Sequence, residues 1–142
     1  MGQHASRPQA RTALAFDFGL RRIGTAVGQD VTGTAQALET VTVRERRPDW
    51  QAISRLVETW QPDFFIVGRP LSADGSAPEL GPAIEKFARR LQGRYHKPVS
   101  FIDERLSSYA ALGDARNAER LGLDAVAARF ILETWFAENP QP

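Results

Sequence analysis

The chain has 142 residues and a mass of 15.7 kDa, which suits one ordinary domain able to fold around its own core without staples. It contains no cysteine and only two histidines, which excludes disulfide frameworks, thiolate chemistry and Cys-rich zinc sites and leaves carboxylates to carry any chemistry. A net charge of +1 is too balanced to coat nucleic acid by bulk electrostatics, yet 16 of the 18 cations are arginine, whose planar fork matches phosphate; a GC-rich coding sequence would give the same bias.

Residues 1–11 are polar and aperiodic and are expected to form a disordered tail. MGQHAS fits the loose myristoylation pattern through Gly2 and Ser6, but so short a consensus does not outweigh a plain basic tail. From Thr12 the pattern continues without a break, giving one domain over 12–138 and a short tail at 139–142. No apolar run approaches the roughly 20 residues needed to cross a membrane, and the N-terminus lacks the apolar core of a signal peptide, so a soluble, cytoplasmic protein is expected.

ALAFDF alternates, with Leu14, Phe16 and Phe18 on one side and Ala13, Ala15 and Asp17 on the other, which predicts a strand whose small-residue face ends in a carboxylate. Gly19 to Arg22 can turn the chain, IGTAVG reads as a second strand and the segment from about Thr34 to Val43 as a third, an antiparallel meander. Pro48 is expected to open a helix in which Trp50, Ile53, Leu56, Val57 and Trp60 recur at helical spacing. Its tryptophans read as packing residues, not as platforms for bases. FFIV is a short unbroken apolar run, as in a strand buried on both faces, and leads into the Gly- and Pro-rich loop GRPLSADGSAPE. Open α/β sheets place ligands at such a loop, beyond the carboxyl end of a strand.

Ile84, Phe87, Ala88 and Leu91 mark a second helix, and VSFI a last strand that runs straight into Asp103, Glu104 and Arg105. The final helix starts near Asp124 and continues through Ala127, Ala128, Ile131, Leu132 and Trp135. Strands separated by helices must continue in parallel. The expected architecture is therefore α/β: a mixed five-stranded sheet, an antiparallel meander plus parallel strands, flanked by helices, which is the ribonuclease H-like fold.

Asp17, Phe18 and Gly19 can be read as a kinase magnesium motif, as the phosphate loop of an actin-like ATPase, or as part of a nuclease metal site. The kinase reading fails for want of an HRD-type loop and a GxGxxG lid. The ATPase reading needs two such domains around the nucleotide, and this chain supplies one. Asp17, Asp103, Glu104 and Asp124 all fall at element ends that this fold can bring to one edge. Clustered carboxylates repel one another, and a hard divalent cation removes that cost while supplying the chemistry of phosphodiester hydrolysis.

Each acid also has a structural alternative. Asp124 is equally a helix N-cap, and Asp103 or Glu104 could pair with Arg105 or Arg69 on the surface. By alternation only one of Asp103 and Glu104 shares a side with Asp17. Asp74 and Asp114 read as ordinary turn and helix-start residues. Asp17 is the hardest to explain structurally, because a carboxylate finishing a central strand needs a metal or a cationic partner.

DFGLRRIGTAVG, FIVGRPLSADGS, IDERLSS and DAVAARFILETW, in that order and spacing, resemble the YqgF or RuvX family of bacterial ribonuclease H-like proteins, and the resemblance runs from about Arg11 to Trp135. It implies a metal-dependent nuclease that matures the 5′ end of the pre-16S ribosomal RNA, with Holliday junction resolution or exonuclease activity as alternatives. A non-catalytic RNA- or ribosome-binding module on the same fold is the further alternative. Carried over by motif, Asp17, Glu104 and Asp124 would be the catalytic, metal-binding acids, with Asp103 as second choice. Arg22, Gly68, Arg69, Pro70 and Arg105 would position the nucleic-acid backbone. The implied cofactor is Mg2+ or Mn2+, and the implied partners are nucleic acid, RNA first, and the pre-ribosomal particle, with the protein a monomer or homodimer. The loop before Asp124, ARNAERLGL, is less basic than the family pattern.

Overall fold

A computed structural model describes residues 10–69, 80–103 and 123–140. The strands are β1 (Thr12–Phe18), β2 (Arg22–Gln29), β3 (Thr34–Ala37), β4 (Val41–Arg44), β5 (Arg47–Pro48), β6 (Phe64–Arg69) and β7 (Val99–Asp103). The helices are α1 (Trp50–Trp60), α2 (Leu80–Tyr95) and α3 (Leu123–Glu138). They build one mixed sheet in the order β5-β4-β2-β1-β6-β7, with β3 also paired to β2. β1 runs antiparallel to β2 and parallel to β6, and β7 extends the parallel half.

The alternation of β1 separates two cores. Leu14, Phe16 and Phe18 join Phe65 and Val67 beneath α1 and α2, whose Ile53, Leu56, Ile84, Phe87 and Leu91 complete that layer. Phe16 lies 5.9 Å from Phe65 and 5.4 Å from Phe87 between ring centroids, the latter edge to face. On the opposite face Ala13, Ala15 and Ala26 leave room for α3, which packs through Ala128, Ile131, Leu132 and Phe136 together with Ile66 and Ile102. Small residues on the sheet let the helix come close. A Cβ at Gly28 would sit 3.0 Å from the Phe136 ring and 2.5 Å from the Thr34 carbonyl oxygen.

The meander differs from the expected single third strand, and among the described residues the sheet has seven strands where five were expected. Ala26 pairs with Ala37 but Ile23 with Val41, so Gly24 and Thr25 of β2 face Leu38, Glu39 and Thr40. That is a bulge of one extra residue. It transfers odd-numbered side chains from one face to the other: Ala35 packs under α3, whereas Val41 and Val43 enter the α1/α2 core. The buried Thr25 fixes it, its carbonyl accepting from Leu38 N at 2.8 Å and its hydroxyl donating to the Glu39 carbonyl.

Pro48 does not open α1. It pairs with Val43 in β5, an edge position that tolerates a missing N–H, and Asp49 caps the helix by accepting from Ala52 N at 3.2 Å. Arg11, expected at the end of the tail, is held in place. Its backbone N and its Nε donate to the two Asp30 carboxylate oxygens at 2.9 and 2.8 Å. Residues 1–9 lie outside the described residues, within which no helix is long and apolar enough to cross a membrane.

Candidate active site

Asp17 is half-buried near the end of β1, on the face covered by α3, because it shares the parity of Ala13 and Ala15. Its cross-strand partners are Gly24 on β2 and Gly68 on β6, and the row continues to Ile102 on β7. Neither flanking position carries a side chain, so the carboxylate stands in the row between two glycines. Arg22 lies on the same face, two residues along β2 from Gly24.

The last helix approaches this row from the far end of the sheet. Trp135 packs on Phe64 at 5.1 Å and Phe136 lies against Gly28, and both of those sheet residues pair with Ala13. Asp124 to Phe136 is about 18 Å of helix, and Ala13 to Asp17 about 13 Å of strand. Running back along the strands, α3 is therefore long enough to carry its first turn to the Asp17 row. Asp124 stands within that first turn and not at the cap, since the helix begins at Leu123.

The other expected residues divide. Asp103 shares the parity of Val99 and Phe101, which pack toward α1 and α2, and is paired in register with Arg69. Asp103 and Arg69 therefore belong to the face opposite Asp17. The exposed Arg69 guanidinium lies 4.2 Å from the centroid of the Phe101 ring, a cation–π contact. Gly68 is buried beside Asp17. Glu104, Arg105 and Pro70 lie outside the described residues, and of Asp124 only the backbone is described. Among the described residues no three histidine or acidic side chains stand together as a metal site. Gly24 was missed by sequence reasoning, although its place beyond the Gly19 turn, mirroring Asp17, was a usable signal.

The donor type fits a hard cation. Asp17 offers only oxygen, and the chain has no thiolate to select a softer metal.

Comparison with known proteins gives a consistent picture. A family model described as RuvX, Holliday junction resolvase, matches residues 11–138. A Marinobacter nauticus protein named "Putative pre-16S rRNA nuclease" is 47% identical over 138 residues, covering 93% of this chain and 96% of its own. A Pseudomonas aeruginosa protein of the same name is 46% identical over 142 residues, covering 96% and 99%. Among solved structures, T. thermophilus RuvC in complex with a Holliday junction substrate superposes with a TM-score of 0.56 at 15% identity, covering 91% of this chain and 95% of that one. The fowlpox virus Holliday junction resolvase gives 0.52 at 15% identity, covering 90% and 98%. At that identity the likeness is one of fold, and it is the ribonuclease H-like fold expected from the order of elements.

Proposed function

The chain belongs to the RuvX family and is a nuclease, and from that premise we propose that the bond it hydrolyses is an RNA phosphodiester, in 5′-end maturation of the pre-16S ribosomal RNA. The observation that carries the reading is Asp17 in its glycine-flanked row, on the face that α3 covers. Relatives of nearly full length and 46–47% identity bear that RNA in their names, which ranks it above a DNA junction.

Asp17, Glu104 and Asp124 are the proposed ligands of a divalent cation, Mg2+ or Mn2+. The parity of β7 supports Glu104 over Asp103, because Asp103 falls on the opposite face. When bound, such an ion neutralises phosphate charge and makes water a better nucleophile at neutral pH. Asp17 orients it from a rigid central strand, and the two glycines admit the phosphate that a bulkier neighbour would exclude. Arg22, on the same face, holds a phosphate oxygen, while Gly68, Arg69, Pro70 and Arg105 guide the nucleic-acid backbone past the carboxyl end of β6. The protein then needs no nucleophile of its own.

Junction resolution is the second reading, favoured by the family description. It requires two symmetric nicks and hence a two-fold dimer. The deciding experiment offers purified protein an RNA with the extended 5′ end, single-stranded RNA and DNA, and a four-way junction, each with Mg2+ and with Mn2+. Preferred cleavage of the RNA precursor is expected. Junction cutting with the RNA left intact would reverse the ranking.

A further inference from the structure

A second concavity opens on the other face of the sheet, across the backbone from Asp17. It has a volume of about 270 Å3, and its apolar floor is formed by Phe18, Trp50 and Phe87. Arg46, Lys86 and Arg90 line it as well, and among the described residues no carboxylate does. Phe18 is the residue after Asp17, so the pocket adjoins the candidate active site with one strand end between them.

Three features give it the character of a ligand site. Lys86 and Arg90, four residues apart on α2, are both exposed and share one helix face, so two cations rise on the same wall. Arg46 comes from the two-residue turn between β4 and β5, where Glu45 and Arg46 have φ of 51° and 64°, a conformation that residues other than Gly, Asn and Asp adopt at a cost. Trp50 is fixed by stacking on Phe87 at 5.5 Å and by the Arg94 guanidinium 4.4 Å from its ring, yet its indole N–H is buried with no acceptor among the described residues.

The volume lies near the lower bound of roughly 300 Å3 for small-molecule pockets, enough for a single flat ring system. An aromatic floor with Arg46, Lys86 and Arg90 around it fits a nucleobase whose phosphates stay at the mouth. We propose that this pocket receives one unstacked base of the RNA strand whose neighbouring phosphodiester lies at Asp17, with Arg46, Lys86 and Arg90 on its flanking phosphates. The inference rests on the RNA reading above and adds to it a subsite that holds the strand in register.

The test uses the full chain carrying Asp17→Asn, so that RNA stays uncut, and compares it with Asp17→Asn/Lys86→Ala/Arg90→Ala. A single-stranded RNA oligonucleotide containing 4-thiouridine is titrated by fluorescence anisotropy across a salt series, then crosslinked by light and mapped by mass spectrometry. Crosslinks to Phe18, Trp50 or Phe87 are expected. The added substitutions should remove them, weaken binding about tenfold and make the logarithmic salt slope shallower by about 1.4, two phosphate contacts on a single strand. Equal affinity, an equal slope and crosslinks elsewhere would overturn the proposal. Saturable binding of a free mononucleotide that the substitutions abolish, with RNA binding unchanged, would assign the pocket to a free nucleotide and overturn it too. Because binding is read on uncut RNA, failure here leaves cleavage by the unmodified protein as a separate result.

Discussion

Gly68 is the direct neighbour of Asp17 on the adjacent parallel strand, and Gly24 occupies the equivalent place on the antiparallel side. A side chain at either position would rise next to the carboxylate on the same face. Gly68→Ala is therefore expected to lower the rate of single-turnover cleavage by about 10–100-fold, since a misplacement near 1 Å at a reacting centre costs that much. RNA affinity should change far less, because most of it comes from phosphate contacts spread along the strand. A variant that cleaves normally would show that this row is not where the reaction occurs.

Asp17→Asn keeps the size of the side chain and removes the charge that the proposed divalent cation would use. Cleavage should fall by about 10³-fold or more while RNA binding persists. Adding EDTA to the unmodified protein should abolish cleavage, and excess Mg2+ or Mn2+ should restore it. Full activity of Asp17→Asn in Mg2+ would remove this residue from the site.

Asp103, the last residue of β7, and Glu104, the proposed ligand that follows it in the chain, can be told apart by kinetics. Asp103 has the parity of Val99 and Phe101, away from Asp17. Asp103→Asn is thus expected to leave cleavage within about threefold, as for a surface substitution worth ~0.5 kcal/mol, whereas Glu104→Gln should match Asp17→Asn. Parallel kinetics of the two variants on one RNA decide this, and the reverse order would exchange their roles.

The period of two in ALAFDF made both cores legible, and with them the side of the sheet to which Asp17 belongs. The buried stripe of α2, Ile84, Phe87, Ala88 and Leu91, was equally plain from its helical spacing. The bulge at Leu38–Thr40 was not. One extra residue is a local backbone choice stabilised by Thr25, and Val41 and Val43 look like the continuation of a strand that has already changed face. The β4–β5 turn was hidden for a related reason: Glu45 and Arg46 take left-handed angles usually signalled by Asn or Gly. Flanking of Asp17 by Gly68 depends on the register of the parallel pair, which long-range pairing sets and no local pattern reveals.

Gly28 tests whether the position of α3 matters to the chemistry. An added methyl group would press on the Thr34 carbonyl at 2.5 Å and on the Phe136 ring at 3.0 Å, so either β3 or the helix must move. Gly28→Ala should cost about 1–3 kcal/mol of stability. It should also reduce cleavage at temperatures where the variant is fully folded, since α3 carries Asp124. Lost stability with unchanged kcat would mean that β3 yields and the helix stays.

Asp30 offers the complementary case, a stabilising residue remote from the chemistry. Its carboxylate, with a side chain only 2% exposed, accepts from both the backbone N and the Nε of Arg11 beside the start of β1, the opposite end of the strand from Asp17. Asp30→Ala leaves a backbone N–H without its acceptor and frees a guanidinium that also lies 4.8 Å from the Phe64 ring centroid. Arg11 is 53% exposed, so water compensates part of the lost ion pair, and a cost of about 1–3 kcal/mol follows mainly from the hydrogen bonds. Denaturant unfolding should show a lower midpoint at unchanged slope. Cleavage below the transition should stay within about threefold, because substitutions far from shared partners act independently. A large fall in kcat at full folding would instead tie the amino end of β1 to the geometry of its carboxyl end.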